Sequence, residues 1–273
     1  MRALILFLVL AGCSAPEQKA PSFEPDPVTA EQEAARLALL PAESVAVIDG
    51  FREQVAAVRT SDDFDALFER ALRMTGDLIP ADSLDPFTGY SYRFQGNDLG
   101  LPGLSPSCVA ECTEATLSME RDDWDRIAQA TPDSLDDAFV ALLFDHWGHP
   151  QVYQGQITGW PAFFTRTWDY GGYSMLGSGA HEALWSELTG RDWQGRFTPH
   201  LDQMRQVLTG DMISAQCYGL PGDAVSAELN RIRATSGIDT DLEGAINQRI
   251  QDISEGAVEV DCQTTMDCAC ISG

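Results

Sequence analysis

Six cysteines, Cys108, Cys112, Cys217, Cys262, Cys268 and Cys270, follow a short apolar N-terminal run that ends at a seventh, Cys13. This arrangement constrains the fold more than any other feature of the chain. Arg2 precedes the run from Leu4 to Leu10, and Leu10-Ala11-Gly12-Cys13 closes it. A positive start, a short apolar core and small residues before a cleavage point make an export signal. The run is far shorter than the roughly 20 residues of a membrane-spanning helix. An exported chain meets oxidising conditions, in which an even set of cysteines pairs into disulfides. Six cysteines allow about 15 connectivities. A Cys268–Cys270 bridge is strained by its single intervening residue, and a Cys108–Cys112 bridge fights the helical turn expected there. Nearly all remaining pairings tie the region around residue 110 or 217 to the C-terminal tail. Four thiolates could instead hold a metal, but C-x3-C, C-x5-C and C-x-C lack the paired C-x2-C knuckles of such sites.

Leu10-Ala11-Gly12-Cys13 resembles the lipobox of the bacterial lipoprotein class, matching its Leu-Ala-Gly-Cys motif at all four positions. The resemblance implies cleavage before Cys13 and acyl chains on Cys13 that tether the protein to a lipid bilayer. Ser14, rather than an aspartate, follows the cysteine. By resemblance to lipoproteins of enteric bacteria, this implies the outer membrane. Residues 1–12 are then the signal peptide, and 13–30, which contain Pro16, Pro21, Pro25 and Pro27, form a flexible tether. Residues 31–273 make one domain, with a subdivision possible only near 78–107.

Forty-two acidic residues stand against 17 basic ones, a formal net charge of -25. That charge repels nucleic acid, so no nucleic-acid partner is expected. It also keeps a chain of 44% hydrophobic residues soluble.

Helical periodicity dominates from Glu31. Val45, Val47, Ile48 and Phe51 recur with that period, then Val55, Ala56 and Val58. Ser61-Asp62-Asp63 caps a second helix carrying Phe64, Leu67, Phe68, Ala71 and Leu72, which Gly76 is expected to close. Prolines and glycines crowd 78–107, where Tyr90 to Phe94 alone has the alternation of a strand. A helix is expected from about Val109 to Ala130. Thr131-Pro132-Asp133 then opens one to Trp147. Others are expected over Pro161–Trp168, Ser174–Leu188, Pro199–Leu208, Ala224–Ala234 and Leu242–Ile253, with Gly190 and Gly210 at C-termini. The fold class is therefore mainly α: an irregular multi-helix domain, stapled by disulfides, with one long Pro/Gly-rich loop and at most a short β-hairpin.

The chemically densest stretch runs from Asp145 to Glu187. It holds three of the four histidines and a run of large rings. Trp160, Phe163, Phe164, Trp168, Tyr170 and Tyr173 fall within 20 residues, alternate with glycines and accompany Arg166, so this segment is the candidate binding surface. Trp160 precedes Pro161, which biases it away from helical backbone and towards a loop. Asp145, His146, His149, His181 and Glu182 are the candidate metal ligands. H-E-x-x-H is absent, because Trp185 stands where its second histidine belongs. Neither Ser174 nor Ser178 sits in G-x-S-x-G. G-x-G-x-x-G and the phosphate-binding P-loop are missing too, so no cofactor is expected.

The run from Asp136 to Phe164, an apolar helix followed by Gln154-Gly155-Gln156-Ile157-Thr158-Gly159-Trp160-Pro161-Ala162-Phe163-Phe164, resembles a helical domain family of unknown function. That family places a polar N-G-G-F element before an aromatic pair, and includes an acidic protein that mimics DNA. Gly159, Trp160 and the Phe163-Phe164 pair match; Ile157 replaces the asparagine and Thr158 a glycine. The resemblance covers about a tenth of the chain and implies a mostly helical fold. Together these features lead us to expect a lipid-anchored envelope protein acting as a binding or interaction module. Its expected partner is a small molecule or another envelope protein. The alternative is a metal-dependent envelope hydrolase built on His146, His149 and His181.

Overall fold

The computed structural model describes residues 42–78, 100–109, 114–153, 155–166 and 172–262. Cys13, Cys112, Cys268 and Cys270, the tether, the Tyr90 to Phe94 segment, Trp168 and Tyr170 lie outside them. The fold is mainly helical, as the periodicity implies. In chain order it comprises α1 (Ala42–Ala57), α2 (Ser61–Leu78), β1 (Leu104–Val109), β2 (Glu114–Met119), α3 (Arg121–Gln129) and α4 (Ser134–Trp147). Four short strands follow: β3 (Gln151–Tyr153), β4 (Gln156–Thr158), β5 (Phe164–Arg166) and β6 (Gly172–Ser174). The last helices are α5 (Ala180–Gly190), α6 (Thr198–Ser214), α7 (Gly222–Arg233) and α8 (Thr240–Ser254).

Local chemistry explains the helix starts. The Thr60 side chain accepts from the Asp63 amide at 3.2 Å, and the Asp63 carboxylate accepts from the Thr60 amide at 3.0 Å, a reciprocal box one residue ahead of the expected cap. These bonds hold the Asp63 carboxyl below the usual carboxylate range, with the Thr60 hydroxyl as the largest cause. Asp133, not Thr131, caps α4 by accepting from the Leu135 amide at 2.9 Å. Thr131 instead donates to the buried Asp136 carboxylate.

Strand content exceeds the expected hairpin. β1 to β4 form an antiparallel sheet in that order, and β5 pairs with β6 in a second sheet. Where a helix was expected from Val109, β1 and β2 pair from Leu104↔Met119 to Val109↔Glu114, and α3 begins only at Arg121. Pro106 disguises β1. An edge strand tolerates that missing donor, and β1 is at the edge. The expected helix over Pro161–Trp168 is replaced by β5, because Pro161 follows an extended Trp160 and Phe164 pairs with Ser174. Ser174 accordingly ends β6, and α5 waits until Ala180, after Gly179 has taken a left-handed φ of 92°. Gly76 and Gly210 lie inside helices instead of ending them. Buried Met74 and Leu78, and buried Leu208 and Met212, carry those helices past the glycines.

The core begins where α2 lies along β2, β3 and β4. Thr75 donates to the Val152 carbonyl at 2.9 Å, and the Trp124 indole donates to the Gly103 carbonyl at 2.9 Å. Phe68 sits edge-on to Trp124 at 5.5 Å and to Phe139 at 5.0 Å, while Phe139 stacks on Phe197 at 3.9 Å. From there α4 passes the contact to α5, and α5 to α6 and α7, with α8 against both α6 and α7.

Cys217 and Cys262 form a disulfide with a Cα–Cα distance of 6.3 Å. This is one of the staples to the C-terminal region that the cysteine spacing suggests. Closing a loop of 45 residues contributes about 4 kcal/mol by the chain-entropy account. Cys108 stands in a strand where a helical turn was expected, and Cys112 lies outside the described residues.

One cation joins the helical layer. Arg196, 16% exposed, meets Asp65 of α2 at 2.5 Å, Asp136 of α4 at 2.5 Å and the α4 cap Asp133 at 2.8 Å. Its guanidinium also lies 4.6 Å from the Phe197 ring centre. Burial alone would lower its pKa, but the bonds from Asp65 and Asp136 prevail and raise it. Asp136 is fully buried, so Arg196→Met should cost about 3 to 5 kcal/mol in a urea titration, the range for stranding a buried charge. Asp65→Asn, at a carboxylate 40% exposed, should cost less than about 1 kcal/mol.

Candidate ligand-binding surface

The candidate segment is positioned by the end of α4. Gly148 stops that helix with a φ of 66°, and the next chain reversal brings Ala162 back to donate to the His146 carbonyl at 2.8 Å. Gly159 makes the crossing feasible. Its φ is +135°, and a Cβ there would stand 2.8 Å from the His149 carbonyl oxygen. Beyond the crossing, the Met175 amide donates to the Phe163 carbonyl at 2.8 Å, tying the start of β5 to the end of β6.

The candidate aromatics then divide. Phe163 is 1% exposed and Tyr173 is buried, so both belong to the interior. Trp160 is 49% exposed, the one large hydrophobic side chain among the described residues with so much of its surface open. Its ring stacks on Phe164 at 5.6 Å with an interplanar angle of 18°, and the Arg166 guanidinium lies 5.0 Å from its centre. Phe164 in turn covers Gly172, where a Cβ would come within 2.3 Å of the Phe164 ring. Glycine, phenylalanine and tryptophan therefore build outward in layers, with the indole outermost.

The candidate metal ligands are dispersed. Asp145 is exposed and paired with Arg121 at 3.2 Å, His149 is exposed, and Glu182 pairs with Arg231 at 2.6 Å. Only His146 and His181 are buried, and their rings lie 5.2 Å and 4.6 Å from that of Phe163. Among the described residues, the group of three or more such side chains with ligand atoms within 4.8 Å of one another is Cys217, Glu259 and Cys262, and its two cysteines are the disulfide.

Behind Phe163, His181 Nε2 lies 2.7 Å from the Asp211 carboxylate, and the Ser174 hydroxyl donates to the same oxygen. Serine and histidine thus share one carboxylate oxygen, an arrangement unlike the serine-to-histidine relay of an activated nucleophile. The loop before α5 is held by Glu228, whose buried carboxylate accepts from the amides of Gly177, Gly179 and Glu182. Sequence reasoning passed over Glu228 and Asp211. A signal for the first was present: Glu228 occupies the same face of α7 as buried Val225, Leu229 and Ile232. Beside Phe163, α4 and α5 also border a cleft of about 630 Å³ floored by Leu142, Ala180, Ala183 and Leu184, with Asp145 and Glu187 at its rim.

Both ring nitrogens of His146 and Nδ1 of His181 are buried without a hydrogen-bond partner among the described residues. Burial, reinforced by the charge of His181, pushes the His146 pKa down to about 3. The unfolded chain therefore binds a proton near pH 6.5 that the folded chain refuses until about pH 3. Stability from this residue is complete above the unfolded value and is lost as pH falls through that window, by on the order of 4 kcal/mol. Urea midpoints measured across the window should fall less steeply in His146→Leu than in the parent chain.

No family model, curated protein or solved structure matches this chain.

Proposed function

We propose that this chain is a lipid-anchored envelope protein, held to the outer membrane by acyl chains on Cys13, whose folded body is a binding module. The contact surface is the Trp160 platform. The observation that carries this reading is the contrast between Trp160, 49% exposed, and Phe163 three residues later, 1% exposed. A ring that large, exposed on a stacked support, is spared from the core and offers a partner an apolar face with a polar N–H at its edge. The histidines favour binding over hydrolysis. The two that converge are sealed behind Phe163, and of the other candidate ligands His149 is exposed while Asp145 and Glu182 are occupied by arginines. No helix of the described residues is long and apolar enough to cross a membrane, so the bilayer contact in this proposal is assigned to the acyl chains. A net charge of -25 opposes any nucleic-acid partner.

Three measurements test the parts separately. Cys13→Ser should release the protein from the membrane fraction, because several acyl chains at about 0.8 kcal/mol per buried methylene supply the hold. Retention of that variant on membranes overturns the anchor. For the surface, Trp160→Ala should change unfolding free energy by less than about 1 kcal/mol, whereas Phe163→Ala should cost about 3 to 5 kcal/mol. A photo-crosslinking residue at position 160 should then capture an envelope component that the same residue at exposed position 248 does not. Equal capture at both positions, or none at 160, retires the platform.

A further inference from the structure

We infer that the Trp160 platform takes the pyranose ring of a glycan, an inference that rests on the platform being the contact surface. Trp160 stacks on Phe164 and keeps 49% of its surface open. A flat apolar face open to water suits a ligand that has one apolar face and polar edges. A pyranose is such a ligand, with axial C–H bonds over the ring and hydroxyls around its rim. A wholly apolar ligand is better served by an enclosed cavity, which withdraws most of its surface from water.

The other ligands that stack on aromatic rings fit less well. Nucleobases stack readily, but they arrive with phosphates, and a chain of net charge -25 repels these. A protein partner needs roughly 800 Å² of each surface with several apolar anchors at its centre. Trp160 supplies a single ring, of about 150 to 250 Å², with no second large apolar side chain as exposed among the described residues. A bilayer surface with anionic headgroups is disfavoured by the same net charge.

Rigidity supports the assignment. Sugars bind weakly per contact, so a site that must order itself on binding loses much of its affinity. Here the support is fixed before any ligand arrives: Phe164 rests on Gly172 where no Cβ fits, and Gly172 pairs with Arg166 across the hairpin. The guanidinium of Arg166 lies over the Trp160 ring, 5.0 Å from its centre, so the indole is held by a second partner besides Phe164.

The test uses the full acylated chain in mild detergent, titrated with chitotetraose and with cellotetraose, and followed by tryptophan fluorescence and calorimetry. Saturable binding of at least one tetrasaccharide is expected. Trp160→Ala should weaken it by about tenfold or more, the loss of one stacked ring, while Trp160→Tyr keeps most of it. No saturable signal with either sugar, or binding that Trp160→Ala leaves unchanged, overturns the inference. So does Trp160-dependent adsorption of the Cys13→Ser chain, free of detergent, to phosphatidylcholine vesicles in the absence of any sugar response, which assigns the ring to lipid. The failures are separable: capture of an envelope protein at position 160 without sugar binding leaves the binding-module reading standing and removes only the glycan.

Discussion

The half-buried guanidinium of Arg196 is the contact on which the rest of the structure depends. Three carboxylates from two helices converge on it, and Asp136 among them is fully buried. A charge in that position is tolerable only when paired, so α2, the start of α4 and the loop entering α6 must come together or the chain strands Asp136. The same loop sets Phe197, at a positive φ of 57°, face to face with Phe139 at 3.9 Å. Polar and apolar terms therefore fix one arrangement. In a chain so rich in acid, each arginine that gathers several carboxylates also relieves repulsion between them, a gain a neutral core residue could not supply.

Once α4 is placed, its C-terminus determines the surface. The carbonyl of His146 holds Ala162, and Phe163 is driven inward between two histidine rings. The hairpin formed by β5 and β6 then turns its other aromatic pair outward. Phe163 and Trp160 are thus two ends of one device: the buried ring anchors the segment, and the exposed ring can be left uncovered because the anchor holds without it. Placing His146, whose two ring nitrogens have no hydrogen-bond partner among the described residues, against that anchor costs stability in acid. The structure accepts the cost where tight packing around Phe163 excludes both water and protein donors.

Helices were legible because their apolar residues recur with a clean period and their starts carry acceptors. Phe64, Leu67, Phe68 and Ala71 on α2 are all buried, as their spacing requires. The strands were not legible, for a physical reason. β3 to β6 are each three residues long, too short to show a period of two, and β1 carries Pro106. Their pairing is decided by long-range partners such as Leu117 with Val152, which no local window contains. The candidate binding segment could not be resolved within itself from sequence, because Trp160, Phe163 and Tyr173 look alike by composition. What separates them is backbone direction, set by Pro161 and by glycines at 159 and 172. The cysteine pattern fared similarly, in that Cys217–Cys262 lies within the set of tail staples that spacing favours, while Cys108 stands in a strand where a helical turn was expected.

The disulfide also explains why a surface carried on short strands can be firm. Ser174 at the end of β6 receives no support from a wide sheet. Instead its amide donates to the Cys217 carbonyl at 3.0 Å, its carbonyl accepts from Gly219 at 2.8 Å, and Tyr218 is pinned in turn by the Glu259 carbonyl at 3.0 Å. Cys217 and Cys262 close this patchwork covalently. Tyr218 extends it inward, donating to the Met212 carbonyl at 2.7 Å and accepting from Arg249, with burial raising its pKa to about 12. The β5–β6 hairpin is therefore backed on one side by Phe163 and the histidines and on the other by a bridged, hydrogen-bonded seam. Strands of three residues could not hold an exposed indole in one place by themselves; two independent anchors, one hydrophobic and one covalent, can.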